Sequence, residues 1–269
     1  MGSRTIPALL LAVAPAFAQW LNYPTPGIPR LPNGKPNLAA PTPRAADGHP
    51  DLSGVWQLET APCAPNAIQP CGGDYRGGPE FGNLGVHLPG GLPYQPWAAE
   101  LVRKRTADLG KDDPVAWCKP SGALRLWTYP PYRKTIQTPG VTVILSERDV
   151  TYRQIFTDGR PLPNDPSPSW NGYSIGKWQG DALVVETVGF RDDTWLDRNG
   201  SPMTEGAKMT ERLRRANYGN LEIDVTIDDP KAYTKPWTVR LHQVLVPDTD
   251  LLDYFCQDNE KDAVHAVGK

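Results

Sequence analysis

From position 141 onward the chain is a succession of short segments in which apolar and polar residues alternate, separated by turn residues and by nothing of helix length. Alternation with period two places successive side chains on opposite faces of a strand. The candidate strands cover 141–147, 151–157, 170–178, 181–189, 208–215, 221–228, 237–246 and 251–256, and Asp51-Leu52-Ser53-Gly54-Val55-Trp56 supplies a first strand upstream. Gln179-Gly180 and Ala216-Asn217-Tyr218-Gly219 have the chemistry of hairpin turns. Consecutive hairpins without helical crossovers make an antiparallel meander, and closure is the economical way to remove the edges of so many strands. The expected fold is therefore all-β, an antiparallel up-and-down barrel, with a β-sandwich as the alternative.

The 30 Pro, 25 Gly and 9 Trp among 269 residues suit short strands joined by turns with aromatic packing between them. One helix stands out at 96–105, with Pro96 near its start, Trp97 and Leu101 four apart and Gly110 as its stop, and its Trp97/Leu101 stripe is expected to pack on the sheet. Residues 60–92 lack periodicity and read as a long ordered loop. At the N-terminus, Arg4, the apolar Leu9-Leu10-Leu11-Ala12-Val13 and the Ala16-Phe17-Ala18 box make a secretory signal peptide over 1–18, too short and too interrupted by Pro7 and Pro15 to span a bilayer. A Pro-rich extended arm follows over 19–50, and 51–269 is expected to form a single domain in the periplasm or outside the cell. No later segment resembles a membrane span. A net charge of -2 without a basic run argues against nucleic acid as a partner.

Four cysteines in an exported chain invite pairing. Cys63 with Cys71 and Cys118 with Cys256 is the expected connectivity. No CxxC spacing occurs, His49, His87, His242 and His265 share no metal-ligand spacing, and no metal or other cofactor is expected. GxSxG, P-loop and dinucleotide motifs are absent as well, which sets aside the chemistries that need them.

Carboxylates are the more promising candidates for chemistry. Glu211 shares a strand face with Met209 and Leu213, and Glu186 shares one with Val184 and Val188, so both are expected to point into the barrel, where desolvation suits proton transfer. With Tyr173, which lies between Gly172 and Ser174, they form the candidate catalytic set for a cofactor-free lyase, isomerase or hydrolase. The competing expectation is a buried salt bridge to Arg153, Arg212 or Arg214. Trp170 and Trp195 are candidates for a stacking platform, with Asp197, Glu205 and Arg160 fixing polar groups of a ligand and His242 facing the interior. Asp192, Asp193 and Asp197 cluster enough oxygen to be weighed for calcium, without EF-hand spacing.

Gly54-Val55-Trp56 resembles the Gly-x-Trp of lipocalins, which makes the expected barrel calycin-like. More specifically, Gln137-Thr138-Pro139-Gly140, Asp158-Gly159-Arg160-Pro161-Leu162-Pro163, Pro168-Ser169-Trp170-Asn171-Gly172-Tyr173-Ser174, Gly180-Asp181-Ala182-Leu183-Val184-Val185-Glu186-Thr187 and Trp195-Leu196-Asp197 resemble a family of exported, uncharacterised bacterial proteins. The similarity runs from Asp47 to Asp262 and implies fold and export, without a chemistry. Where such relatives carry Pro-His-Ser/Thr-Glu, this chain has Pro202-Met203-Thr204-Glu205. The functional expectation is a barrel binding a small aromatic, glycosidic or lipidic molecule in its lumen or at its mouth. The alternative is a structural or assembly protein, a homo-oligomer joined through the Pro-rich arm.

Overall fold

The computed structural model describes residues 23–59, 79–148 and 150–256, so the expected signal peptide, Cys63, Cys71 and His265 lie outside the described residues. Nine strands follow one another around a closed ring: β1 Gly54–Leu58, β2 Arg133–Thr138, β3 Val141–Ser146, β4 Thr151–Phe156, β5 Tyr173–Gln179, β6 Ala182–Val188, β7 Lys208–Asn217, β8 Asn220–Asp228 and β9 Trp237–Leu245. Pro139-Gly140, Gly180-Asp181 and Tyr218-Gly219 turn the β2/β3, β5/β6 and β7/β8 hairpins. Closure comes from β9 on β1, with Trp56 opposite Leu245, so every strand of the ring has a neighbour on both sides.

Eight of the nine neighbour contacts are antiparallel, and β4 with β5 is parallel. This corrects the purely up-and-down expectation, and parity gives the reason. Strands that alternate in direction can close a ring only in even number, so a ring of nine needs one like-directed pair. The connection over 157–172 carries Pro161, Pro163, Pro166 and Pro168, has the length that a parallel crossover demands, and cannot itself join the ladder. The parallel contact spans only Ile155 opposite Ser174 and Phe156 opposite Ile175. The first half of β4 therefore has no strand on that side.

Two further expectations are corrected. Residues 251–256 form no ladder and run as an extended tail, joined by a single bridge from Tyr254 to Arg148. Their Cys256 is bonded to Cys118 as expected. The helix is longer than its sequence signal, Pro96–Ala107, and it buries Ala98 rather than a Trp97/Leu101 stripe. Trp97 is 48% exposed, and its indole N–H donates to the Lys231 carbonyl at 2.8 Å.

The lumen is filled. Trp56, Ile144, Ile155, Leu183, Val225 and Leu241 are buried with their faces inward, and the outer wall carries charge pairs such as Arg214–Glu222 and Arg240–Asp224. No helix among the described residues is long and apolar enough to cross a membrane. We number the helices α1 Pro79–Gly82, α2 Pro96–Ala107 and α3 Arg125–Thr128; together with a 3₁₀ turn at Pro114–Trp117 they lie in the connection from β1 to β2 and cap one end of the barrel.

The arm closes the other end of its own barrel. Tyr218 and Gly219 donate their backbone N–H to Ala40 and Leu38 carbonyls at 2.8 Å, Arg44 bonds Asp181 at 2.6 and 2.8 Å, and His49 stacks on Trp178 at 4.7 Å. A Cβ at Gly219 would stand 2.5 Å from that of Leu38. Gly219→Ala is therefore expected to lift the arm, costing about 1–3 kcal/mol as overpacking does. Faster tryptic cleavage at Arg30 and Arg44 than in the parent protein is the readout, and equal cleavage rates would contradict this seating.

Candidate functional site

Period-two alternation along β7 turns Met209, Glu211, Leu213 and Arg215 inward, and Glu211 is fully buried. Its carboxylate is not free. Arg153 on β4, also buried, donates Nη1 to Glu211 Oε1 at 2.9 Å and Nη2 to Oε2, while the Trp127 indole N–H reaches Oε1 at 2.7 Å. The guanidinium is completed by Ser174 Oγ at 3.1 and 3.2 Å and Thr187 Oγ1 at 2.9 Å. Trp127 belongs to α3, so the cap reaches into the barrel and adds the last donor to this ion pair. Its carbonyl in turn accepts from Arg133 Nη1 at 2.7 Å and Gln243 Nε2 at 3.0 Å. Taking charges out of water is expensive unless their hydrogen-bonding groups are matched, and here the carboxylate is held by three bonds. The competing expectation, a buried structural salt bridge, describes Glu211.

Glu186 is corrected outright. The face it shares with Val184 and Val188 is the outer one, because Leu183, Val185 and Thr187 are the fully buried residues of β6. Its partner is Lys208 Nζ at 2.5 Å. Tyr173 also stands on the outer side of the wall: Ser174 beside it faces Arg153, while the Tyr173 hydroxyl accepts from Arg160 Nη1 at 3.2 Å. The three residues of the expected catalytic set thus occupy both sides of the wall and make no acid/base pair.

The short parallel contact creates the space that the lumen lacks. Beside the unpaired half of β4 lies a cleft of about 370 Å³, lined by Tyr152, Phe156, Trp170 and Tyr173, with Thr151, Gln154 and Asn171 between them and Arg153 and Ser174 at its floor. Gly172 shapes it. At φ +62° it bends the chain so close to the Val188 carbonyl that a Cβ would lie 2.7 Å from that oxygen. Asn171 spans the gap, donating Nδ2 to the Tyr152 carbonyl at 2.9 Å. The aromatic walls are stiffened from outside, Arg160 lying over Phe156 at 3.9 Å and Arg191 over Trp170 at 4.8 Å. Asp158 bonds Arg160 and Asp193 bonds Arg191, which holds both acids below the usual carboxylate range. Tyr152, 62% exposed, offers its ring to a ligand.

The remaining expected residues are dispersed. Trp195 is buried beneath α2 in a different cleft from Trp170, so the two make no platform. Asp197 is fully buried and accepts from the Ser201 N–H and Leu84 N–H at 3.0 and 3.1 Å and from the Ser201 hydroxyl at 2.8 Å; burial pushes its pKa up against those bonds. It holds two loops together instead of meeting a ligand. Glu205 is exposed, 3.9 Å from Lys231, and His242 is exposed on the outer wall opposite Glu222, not in the interior. The three acids weighed for calcium diverge, since Asp193 binds Arg191 and Asp197 faces inward.

Tyr152 and Phe156 were missed by sequence reasoning, although they sit two and four positions apart from Gln154 and Tyr152 on the outward face of Thr-Tyr-Arg-Gln-Ile-Phe. Bulky aromatic residues on the face opposite buried Arg153 and Ile155 were the available signal. No protein-family model matches the chain, and no curated protein matches it.

Proposed function

We propose that the protein is an exported small-molecule-binding β-barrel whose ligand, an aromatic or glycosidic ring compound, lies in the seam cleft beside β4. The observation that carries this reading is the grouping of Tyr152, Phe156, Trp170 and Tyr173 around polar Thr151, Gln154 and Asn171. Aromatic faces take the apolar face of a ring, and interspersed amides and hydroxyls take its hydroxyl groups. A lipid chain suits the site less well, because it calls for a deep dry cavity and the lumen is filled. Export is supported by the pattern of residues 1–18 and by the Cys118–Cys256 bond. The calycin-like comparison rests on the single closed sheet and on Gly54-Val55-Trp56; the parallel seam is this chain's own departure.

Binding without turnover is the reading, since Glu211 is spent on Arg153 while Glu186 and Tyr173 stand outside. The assembly alternative draws less support, because the arm is seated on its own barrel. The test is titration with phenyl β-glucoside and its parent sugar, followed by calorimetry. Each ring contact is worth about 0.5–1.5 kcal/mol, so Trp170→Ala or Tyr152→Ala is expected to weaken binding about three- to tenfold. Unchanged affinity in both variants would remove the ligand from the seam.

A further inference from the structure

A second cleft, separate from the seam, opens between α2, the Pro114–Trp117 turn and the β6–β7 connection, with a volume of about 590 Å³. Trp195 lies in its wall and Trp117, 54% exposed, stands at its mouth. Arg105 of α2 is laid over the Trp195 ring at 4.3 Å and gives Nη1 to the Gly200 carbonyl at 2.6 Å. Among the described residues no carboxylate bonds this guanidinium. Two of the nearby acids are engaged elsewhere, Asp113 with Arg125 at 2.8 Å and Asp193 with Arg191 at 2.8 Å, while Asp108 and Asp112 line the cleft without bonding this guanidinium. Lys104 and Lys119 line the same cleft and form no ion pair among the described residues. Burial lowers the Arg105 pKa and outweighs the opposing pull of Asp113, Asp112 and Asp197, so a directly bonded anion would stabilise this cation.

We propose that this cap cleft is a binding site for a small aromatic carboxylate, whose carboxylate meets the open edge of the Arg105 guanidinium and whose ring lies against Trp117. Arginine presents paired N–H donors in a plane that matches a carboxylate, and Trp195 holds that plane fixed before a ligand arrives. Asp108 and Asp112 also line the cleft and raise the opposite choice, an aromatic amine. With Asp193 paired to Arg191, three cations face these two acids, and the cation fixed in the wall, Arg105, favours the carboxylate.

The experiment uses three matched probes with one ring and chain: 3-phenylpropionate, 3-phenylpropionamide and 3-phenylpropylamine. Binding is read by quenching of tryptophan fluorescence and by calorimetry. The acid is expected to bind at least about tenfold more tightly than the amide, as a charge-assisted bond requires, and more tightly than the amine. Arg105→Gln is expected to erase the difference between acid and amide, and Trp117→Ala to weaken all binding of the acid. Trp170→Ala, in the seam cleft, should leave the acid's affinity unchanged, which separates this site from the one proposed above. Should Arg105→Gln fail to fold, exposed Lys119→Gln keeps the test alive, with weaker binding of the acid and a shallower salt dependence. Equal affinity for acid and amide, preference for the amine, or no binding of any probe would overturn the proposal.

Discussion

Glu211→Gln lowers the melting temperature by about 10 °C, the largest effect expected of a single isosteric change in this barrel. The substitution preserves volume and removes the charge that faces Arg153. Breaking one side of a buried pair costs about 3–5 kcal/mol, because the remaining ion has no water to turn to, and in a domain of this size each kcal/mol shifts the midpoint by about 2–4 °C. Arg153 would keep Ser174 and Thr187 as partners, and the Trp127 indole would keep an amide oxygen in reach, which sets the loss below that of a naked buried charge. The double replacement Arg153→Met with Glu211→Leu removes both ions and should recover most of the loss. A Glu211→Gln midpoint within about 2 °C of the parent would mean that the pair is worth less than about 1 kcal/mol, and the lumen would then not be held as described.

Removing the Cys118–Cys256 cross-link, by Cys118→Ser or Cys256→Ser, is expected to cost up to about 5 kcal/mol in the chain-entropy picture. The reason is the separation of 138 residues that the bond closes, which spans the barrel from the cap to the tail. Native contacts of the tail survive in such a variant: Lys134 holds Asp250 at 2.7 and 2.8 Å, and Glu147 accepts the Leu252 N–H at 2.9 Å. The effect should therefore lie mainly in the unfolded chain. A lowered denaturant midpoint with an unchanged native tryptophan spectrum is the expected pair of results, and an unchanged midpoint would contradict it.

How much of this was legible in the sequence depends on the face of each strand. β7 alternates cleanly around Met209 and Leu213, and that places Glu211 inward, whereas in β9 polar Gln243 faces in and Val244 out, which hides the outward side of His242. β6 is apolar on both faces around Val184 and Val185, so alternation could not choose a side, and Glu186 was assigned to the wrong one. β2 was unreadable for the opposite reason: its inward residues are Arg133 and Thr135, and a strand that buries polar groups looks like a loop. Reading the 251–256 tail as a strand while β2 goes unread leaves the count at nine, so the odd number already demands one like-directed pair, but the exchange of members hides where that pair falls. The seam cleft follows from that pair, and so it was visible only as the isolated residues Trp170 and Tyr173. Trp127 gave no periodic signal at all, since the helix that carries it spans four residues.

On the proposed reading, ligand binds outside the filled barrel, at the seam, and not within it. Indole N–H resonances of the tryptophans, followed while phenyl β-glucoside is added, test this most directly. Trp127 and Trp56 have their indole N–H groups bonded inside to Glu211 and to the Leu52 carbonyl, whereas Trp170 lines the seam. Saturable movement of the Trp170 signal is expected, with those of Trp127 and Trp56 still. Movement of Trp127 with Trp170 unperturbed would place the ligand in the lumen and contradict it.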